Sequence, residues 1–402
     1  MKVLTLNCGS STLKFAVTNA PAGAKPSISH LVDGVVDRIG GASIAPLSVS
    51  DQARQVVKPA RDHSEAFSIA IEMLQEAGTL SGIEAVGHRV VHGGIQFREP
   101  VLIDEGVIAT IEAASELAPL HNRPAIEVIR TARSYFSESM PMVATFDTVF
   151  FASLPDVAAT YALPEEIRER LGIRRFGFHG LAHRYMVERY CALHLGVAEP
   201  RLITLQLGNG CSVTASIDGR PVDTSMGFTP LEGLIMGTRS GDLDPSIPLF
   251  LVEREGLSAG EVEAVLNKQS GLLGISGKSN DMRDLLAAAR AGHRGSDLAV
   301  RAFCYRAKKY LGAYLVVLGG ADAVIFGGGI GENMPEIREA ICAGLGWAGL
   351  ELDPERNRMA AQMDERISVD SARIEAWVVP VDEAVVIARD VMNCIRRRRT
   401  GT

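Results

Sequence analysis

The run Asn7-Cys8-Gly9-Ser10-Ser11-Thr12 puts one amide and three hydroxyls into six residues, with Lys14 just behind. Reversing a strand needs only two turn residues, so this hydrogen-bonding capacity exceeds what turning requires. Backbone N–H groups and short donors in such a turn can cradle an anion, and Lys14 adds charge. A plain hydrophilic turn explains the run equally well when it is taken alone. A second stretch decides between the two. Leu4-Thr5-Leu6-Asn7-Cys8-Gly9 aligns with Ile203-Thr204-Leu205-Gln206-Leu207-Gly208. Each is an apolar strand ending in a side-chain amide, one spacer and a glycine, followed by a small polar turn and a return strand. Two phosphate-facing hairpins half a chain apart imply two similar domains serving a shared cleft.

The richest glycine loop is Gly327-Gly328-Gly329-Ile330-Gly331-Glu332-Asn333, behind the buried run Ala323 to Phe326. Strand, glycine run and helix start make a cradle for an anion or a nucleotide. The dinucleotide fingerprint fails there, because Glu332 stands at its last position. Gly277-Lys278-Ser279 is not a P-loop: Leu272 occupies the place of the leading glycine and no buried strand precedes it. Arg89 in a buried strand and Arg239 in a glycine-rich loop suit a carboxylate or phosphate through paired hydrogen bonds, with a structural ion pair as the plainer reading. Asp147 at a strand end and Glu383 at a helix start suit a magnesium ion held mostly through water. Helix capping is the plainer role for either. His121 and His179 lie in loops and could donate to a transferring phosphoryl group. No Cys/His spacing suits zinc, and nothing suggests a Ser-His-Asp triad.

The elements that must hold these residues alternate between strand and helix. Periodicity predicts helices over 64–77, 108–117 and 125–135, with Leu120-His121-Asn122-Arg123-Pro124 as a loop leading into the third. Buried strands are expected over 85–91 and 140–146, with weak strand signals before Pro59. In the second half, helices are expected from Gly180 to about 195, over 258–268 and over 296–318. Loops are expected over 223–245 and 271–281. Ala376 to Pro380 reads as a strand, with the last helix starting at Asp382-Glu383. This order is that of an α/β protein with ligands at the carboxyl ends of strands.

Length and charge narrow the class. At 402 residues two domains are the natural expectation. A net charge of −7 without a dense basic patch argues against nucleic acid as a partner. The longest apolar run, Leu311 to Ala321, is too short to span a bilayer, so no membrane association is expected. Six scattered cysteines lack metal spacing and read as reduced thiols in a cytoplasmic protein.

LNCGSSTLKF at 6–15, GHRVVHGG at 87–94, APLHN at 118–122, FDTVF at 146–150, RRFGFHG at 174–180, LGNGCS at 207–212, GLLGISGKSNDMRD at 271–284 and GGGIGEN at 327–333 occur in order. Together with the segment 223–245 they resemble the acetate kinase family from residue 2 to about 390. The resemblance implies an α/β fold of two duplicated ribonuclease-H-like, actin-like domains around a central nucleotide cleft. One would be 1–148 plus 384–402, the other 149–383 with the adenosine site. It further implies a homodimer, and reversible transfer of a phosphoryl group from ATP to acetate with Mg²⁺ (Mn²⁺ as a substitute), giving acetyl phosphate and ADP. Propionate, butyrate or a pyrophosphate donor are the alternatives within the family. A chaperone-type ATPase would share the fold without needing a carboxylate clamp.

The resemblance also implies roles for single residues. Arg89, Asp147, His179 and Arg239 would be catalytic. Val91, Leu120, Phe178 and Pro230 would line the methyl pocket, with His121 beside the substrate. Ser10, Thr12 and Lys14 would form the first phosphate turn, and Gln206, Leu207, Gly208, Asn209 and Gly210 the second. Asp281, Met282, Arg283, Gly328, Gly329, Ile330, Gly331 and Asn333 would hold adenosine. Asn7 and Glu383 would serve the metal. Three departures from the family pattern stand out: Gln206 replaces a histidine, Leu181-Ala182 replace Thr-Ser, and Asp382 replaces an asparagine.

Overall fold

The computed structural model describes the chain except residues 21–27, 42–44, 50–51, 57, 117, 361–362 and 401–402; for residues 45–49, 52–56, 119–120 and 399 it describes the backbone alone. The chain forms two compact units, Met1–Ala152 with Asp382–Thr402, and Ser153–Val381.

The first unit is built on a mixed sheet. Its strands are β1 (Lys2–Cys8), β2 (Thr12–Asn19), β3 (Ser29–Asp37), β4 (Ala45–Val49), β5 (Gln52–Val56), β6 (Ala85–Val90), β7 (Val101–Leu102) and β8 (Met142–Phe146), in the order β5-β4-β3-β2-β1-β6-β8-β7. β1 and β2 form the expected hairpin, with Asn7 opposite Lys14, and β1, β6 and β8 run parallel. Parallel central strands are covered on both faces, which is why they read as nearly continuous apolar runs. Helices His63–Glu76 and Pro119–Tyr135 contribute to the cluster on one face, where Phe67 and Ile129 join Val86 and Val90. The helix Glu383–Thr400 packs on β1, β6 and β8. Gly87 permits that approach: a Cβ there would stand 2.5 Å from Ile387 Cγ2 and 2.8 Å from Val391 Cγ2.

The second unit repeats the plan. Its strands are β9 (Arg201–Leu207), β10 (Cys211–Ile217), β11 (Arg220–Thr224), β12 (Ala323–Gly327), β13 (Glu365–Arg366) and β14 (Glu375–Val378), in the order β11-β10-β9-β12-β14-β13. β9 and β10 form the second hairpin, with Gln206 opposite Ser212, and β9, β12 and β14 run parallel.

Some expected elements differ. The helix expected to begin at 125 begins at Pro119 and carries Pro124 inside it. Proline at the helix start is favourable, but Pro124 lacks the N–H that would bond Leu120. Tertiary bonds hold the first turn nonetheless: Asn122, fully buried, accepts from His92 N–H at 3.0 Å and donates to the His92 carbonyl at 2.9 Å. The helix expected over 108–117 is Glu105–Ala114, and Leu117 lies outside the described residues. Gly271–Ser276, expected as loop, is a short helix. The helices Ser246–Glu255 and Met282–Arg290 were not expected.

Candidate active site

In the first unit, Asn7 stands one residue before the end of β1, Arg89 one before the end of the neighbouring β6, and Asp147 follows β8. Parallel pairing puts Asn7 beside Arg89 and Arg89 beside Thr145, so the three carboxyl ends converge. Arg89 Nε donates to Asp147 Oδ1 at 2.9 Å and Nη2 to Oδ2 at 2.7 Å. Its Nη1 donates to Asn7 Oδ1 at 2.9 Å and lies 3.7 Å from Glu383 Oε2. Burial weakens the guanidinium charge, but the charges of Asp147 and then Glu383 outweigh burial and hold Arg89 above its ordinary pKa. The bidentate fork expected to grip a substrate carboxylate is therefore spent on Asp147. Those bonds use three of its five N–H groups, leaving two.

Asn7 joins the same network. Its Nδ2 donates to Glu383 Oε2 at 2.5 Å while its Oδ1 accepts from Arg89. In this arrangement Asn7 orients Glu383. Among the described residues no group of three His, Cys, Asp or Glu could hold a metal ion. A hard divalent ion that keeps most of its waters and binds nucleotide phosphates needs only one or two carboxylates. Glu383, with its side chain partly exposed, fits that role.

The turn after β1 is closed by Gly9 N–H donating to Thr12 O at 2.8 Å. Ser10, Ser11 and Lys14 are exposed beside it, and His63 Nε2 lies 2.9 Å from Gly9 O. Val91 is buried and His121 half-buried; the Leu120 side chain lies outside the described atoms.

In the second unit the turn Gly208-Asn209-Gly210 follows β9. Gly208 N–H donates to Gly210 O at 3.1 Å, and Gly237 N–H to Asn209 O at 2.9 Å. His179 and Arg239 meet at this turn: a Cβ on Gly210 would stand 3.2 Å from His179 Nε2 and 3.6 Å from Arg239 Nη1. His179 precedes helix Gly180–Leu193 in a left-handed conformation, φ 56°. Arg239 Nη1 donates to the Pro230 carbonyl at 3.1 Å, and burial pushes its guanidinium below the ordinary pKa. Phe178 is buried and Pro230 half-buried.

The glycine loop after β12 continues into helix Gly328–Asn333. Gly328 has φ +74°, and a Cβ there would lie 2.6 Å from Leu207 O and 2.8 Å from Gln206 Nε2, so only glycine fits. Gly329 is exposed, with nothing within 4 Å of a Cβ built on it. Ile330 and Gly331 are buried, and Asn333 Nδ2 donates to Gly329 O at 3.0 Å. Asp281 caps helix Met282–Arg290 by accepting from Arg283 N–H; Met282 is buried and Arg283 exposed.

Several residues that shape these sites were not anticipated. His183, fully buried, lies with Nε2 2.7 Å from Ser212 Oγ and Nδ1 2.7 Å from Thr204 Oγ1, while Ser212 Oγ is 2.9 Å from His179 Nδ1. Its spacing of four from His179 on a helix was the available signal. Glu332 Oε1 accepts from Gly328 N–H at 2.8 Å and Val381 N–H at 3.0 Å, tying the glycine loop to the segment after β14. Arg338, fully buried, donates through Nη1 to the Gly331 and Glu332 carbonyls, both at 2.8 Å, and burial lowers it to about 10. No local pattern marks these two.

The acetokinase family profile matches residues 2–389. The chain belongs to the acetokinase family. It is 50% identical to an acetate kinase of Solibacter usitatus (strain Ellin6076) over 407 residues, 98% of each chain. Its structure is similar to that of acetate kinase from Porphyromonas gingivalis, with a TM-score of 0.87, 38% identity and coverage of 98% of this chain and 99% of that one. It is also similar to a propionate kinase from Francisella tularensis subsp. tularensis SCHU S4, with a TM-score of 0.89, 37% identity and the same coverage. The departures from the acetokinase pattern have distinct surroundings. Leu181 and Ala182 are buried in helix Gly180–Leu193. Asp382 lies with Oδ2 2.6 Å from His30 Nε2, and this hydrogen bond raises the His30 pKa. Gln206 Oε1 is buried without a hydrogen-bond partner.

Proposed function

We propose that the protein is an acetate kinase that transfers the γ-phosphoryl group between ATP and acetate, reversibly. The observation that carries this is the meeting of His179 and Arg239 at the Gly210 turn. Family membership supports reading that turn as the phosphate turn of a kinase. In the forward direction a carboxylate oxygen of acetate attacks the γ-phosphorus. The bond from that phosphorus to the bridging oxygen breaks, and ADP leaves with the electron pair. Such a transfer needs alignment and positive charge on the equatorial oxygens rather than covalent help from the protein. Arg239, carrying its charge in a buried site, and His179 supply donors to those oxygens. Arg89 is held by Asp147 and Asn7 with two N–H groups remaining for the acceptor's carboxylate. Val91, Leu120, Phe178 and Pro230 are assigned to its methyl group, with His121 beside it. Lys14, Ser10 and Thr12 serve the phosphates from the first hairpin. Gln206, Leu207, Gly208 and Asn209 serve them from the second. The loop Gly328–Asn333 with Asp281, Met282 and Arg283 takes adenosine.

Glu383 would hold Mg²⁺ through water, steadied by Asn7. The ion would neutralise charge on the nucleotide phosphates. The protein acts as a homodimer in the cytoplasm. The cysteines among the described residues are free thiols, which agrees with that compartment.

Propionate is the second reading, favoured by the similarity to a propionate kinase. One methylene is worth only about 1–3 kcal/mol of discrimination. Hydroxamate trapping of acyl phosphate tests both readings, with Mg-ATP given acetate, propionate or butyrate and pyrophosphate replacing ATP in a parallel set. Acetyl phosphate from ATP, falling as the acid lengthens, is expected. ATP hydrolysis without acyl phosphate from any acid would refute the kinase reading.

A further inference from the structure

Strand β9 and the return strand β10 place Thr204, Gln206, Ser212 and Thr214 on one face, by the register Gln206 to Ser212 and Thr204 to Thr214. Helix Gly180–Leu193 packs beside β9 and lowers His183 between two hydroxyls. The result is an unbroken line of short contacts, Thr204 Oγ1, His183 ring, Ser212 Oγ, His179 Nδ1, at 2.7, 2.7 and 2.9 Å.

With both imidazoles neutral, each has one N–H and one lone pair, so an unbroken line of donors can run in only two directions; were both rings to donate to Ser212 Oγ instead, its own buried hydrogen would have no acceptor. Run inward, His179 Nδ1–H donates to Ser212, Ser212 to His183 Nε2, and His183 Nδ1–H to Thr204. The Thr204 hydroxyl must then find its acceptor in Thr214 O, 3.5 Å away. Run outward, Thr204 donates to His183 Nδ1, His183 Nε2–H to Ser212, and Ser212 to His179 Nδ1, all over the short contacts. The inward direction leaves a buried hydroxyl hydrogen poorly satisfied, which is costly. The outward one satisfies every donor in the line. Burial, with His179 adding to it, holds His183 well below its ordinary pKa and keeps it neutral, as both directions require.

We propose that Thr204, His183 and Ser212 are positioning residues that fix the tautomer of His179, placing its proton on Nε2, the nitrogen facing the Gly210 turn. A neutral His179 then donates to a phosphoryl oxygen without first having to be protonated. This consequence rests on the phosphoryl-transfer reading; the tautomer itself does not.

The test is a long-range ¹H–¹⁵N correlation spectrum of the full chain labelled with ¹⁵N-histidine, at neutral pH and without substrate. Loss of one ring system in His179→Gln identifies the signal. The expected spectrum shows His179 unprotonated at Nδ1 and protonated at Nε2. In Ser212→Ala the Nδ1–H tautomer gains population and kcat falls about 10- to 100-fold, as for other partners that fix a histidine tautomer. The KM values for acetate and ATP stay within about twofold, because the loss falls on the transition state. Ser212→Thr keeps the hydroxyl and restores both the spectrum and kcat. A wild-type His179 carrying its proton on Nδ1 would overturn the proposal, and that measurement needs no stable Ser212 variant. So would a Ser212→Ala protein that lost kcat with an unchanged tautomer, or changed tautomer at full kcat. If wild type shows Nε2–H but forms no acyl phosphate from any acid, the tautomer assignment stands and the kinase reading fails.

Discussion

Replacing Arg89 by methionine isolates what its ion pair does for the first unit. Asp147 is fully buried and receives two hydrogen bonds from the guanidinium, at 2.9 and 2.7 Å. Removing one member of such a pair strands a buried charge and costs about 3–5 kcal/mol. Removing both charges, as Arg89→Met with Asp147→Asn, should recover most of that, to within about 1–2 kcal/mol of the parent, because the pair's desolvation cost disappears with it. Urea unfolding distinguishes the units. Both tryptophans, Trp347 and Trp377, lie in the second unit, so indole emission follows that unit alone while far-UV circular dichroism follows both. Arg89→Met should lower the dichroism midpoint by on the order of 1 M or more, with emission trailing behind it. A single variant within about 1 kcal/mol of wild type, or a double variant no more stable than the single, would refute the argument that Arg89 is there first to neutralise Asp147.

Gln206→His restores the family's usual residue where Gln206 Oε1 has no partner, and should change kcat or the ATP KM by an amount up to the roughly 100-fold that one transition-state donor is worth; steady-state kinetics matching wild type would remove Gln206 from the site. Gly328→Ala forces a Cβ to within 2.6 Å of Leu207 O at a φ of +74°. The strain, about 1–3 kcal/mol, should weaken ATP binding measured by calorimetry by roughly 5- to 100-fold. His88 is buried with Nε2 unpartnered, and burial pushes its pKa down from 6.5 to about 3. Its folded form therefore resists a proton that the unfolded chain accepts. Stability is intact above pH 6.5 and falls as pH drops towards 3, by about 2 kcal/mol at pH 5. His88→Met should flatten that slope in urea midpoints compared at pH 7 and pH 5.

The two hairpins were legible because strand, amide, spacer and glycine recur in the same order, and the paired registers of Asn7 with Lys14 and Gln206 with Ser212 repeat that order in three dimensions. The convergence of Asn7, Arg89 and Asp147 follows from strand ends in a parallel sheet, which the alternating elements implied. What they bond to was not legible. The Arg89 fork faces Asp147 rather than standing open, and the Asn7 amide is divided between Arg89 and Glu383. Those choices depend on atoms brought together across 58, 82 and 376 residues. The helix at Pro119 was missed for a similar reason, since Pro124 argues locally against it and the bonds of Asn122 to His92 that secure its first turn are tertiary. His183 offered only its spacing from His179, and Glu332 and Arg338 carry no motif; all three act through contacts that a linear pattern does not encode.

The first unit is discontinuous, and this has a consequence for how the protein is made. Its final helix, Glu383–Thr400, lies flat on β6 at Gly87 and also covers β1 and β8, but it is translated only after the whole of the second unit. On the ribosome the first 152 residues therefore wait with one face of their sheet uncovered while Ser153–Val381 is made. Exposed apolar strands in that interval are a target for chaperones and a risk for aggregation. Vectorial synthesis thus leaves the first unit unfinished until the second has been made, and Glu383 reaches its place beside Asn7 late.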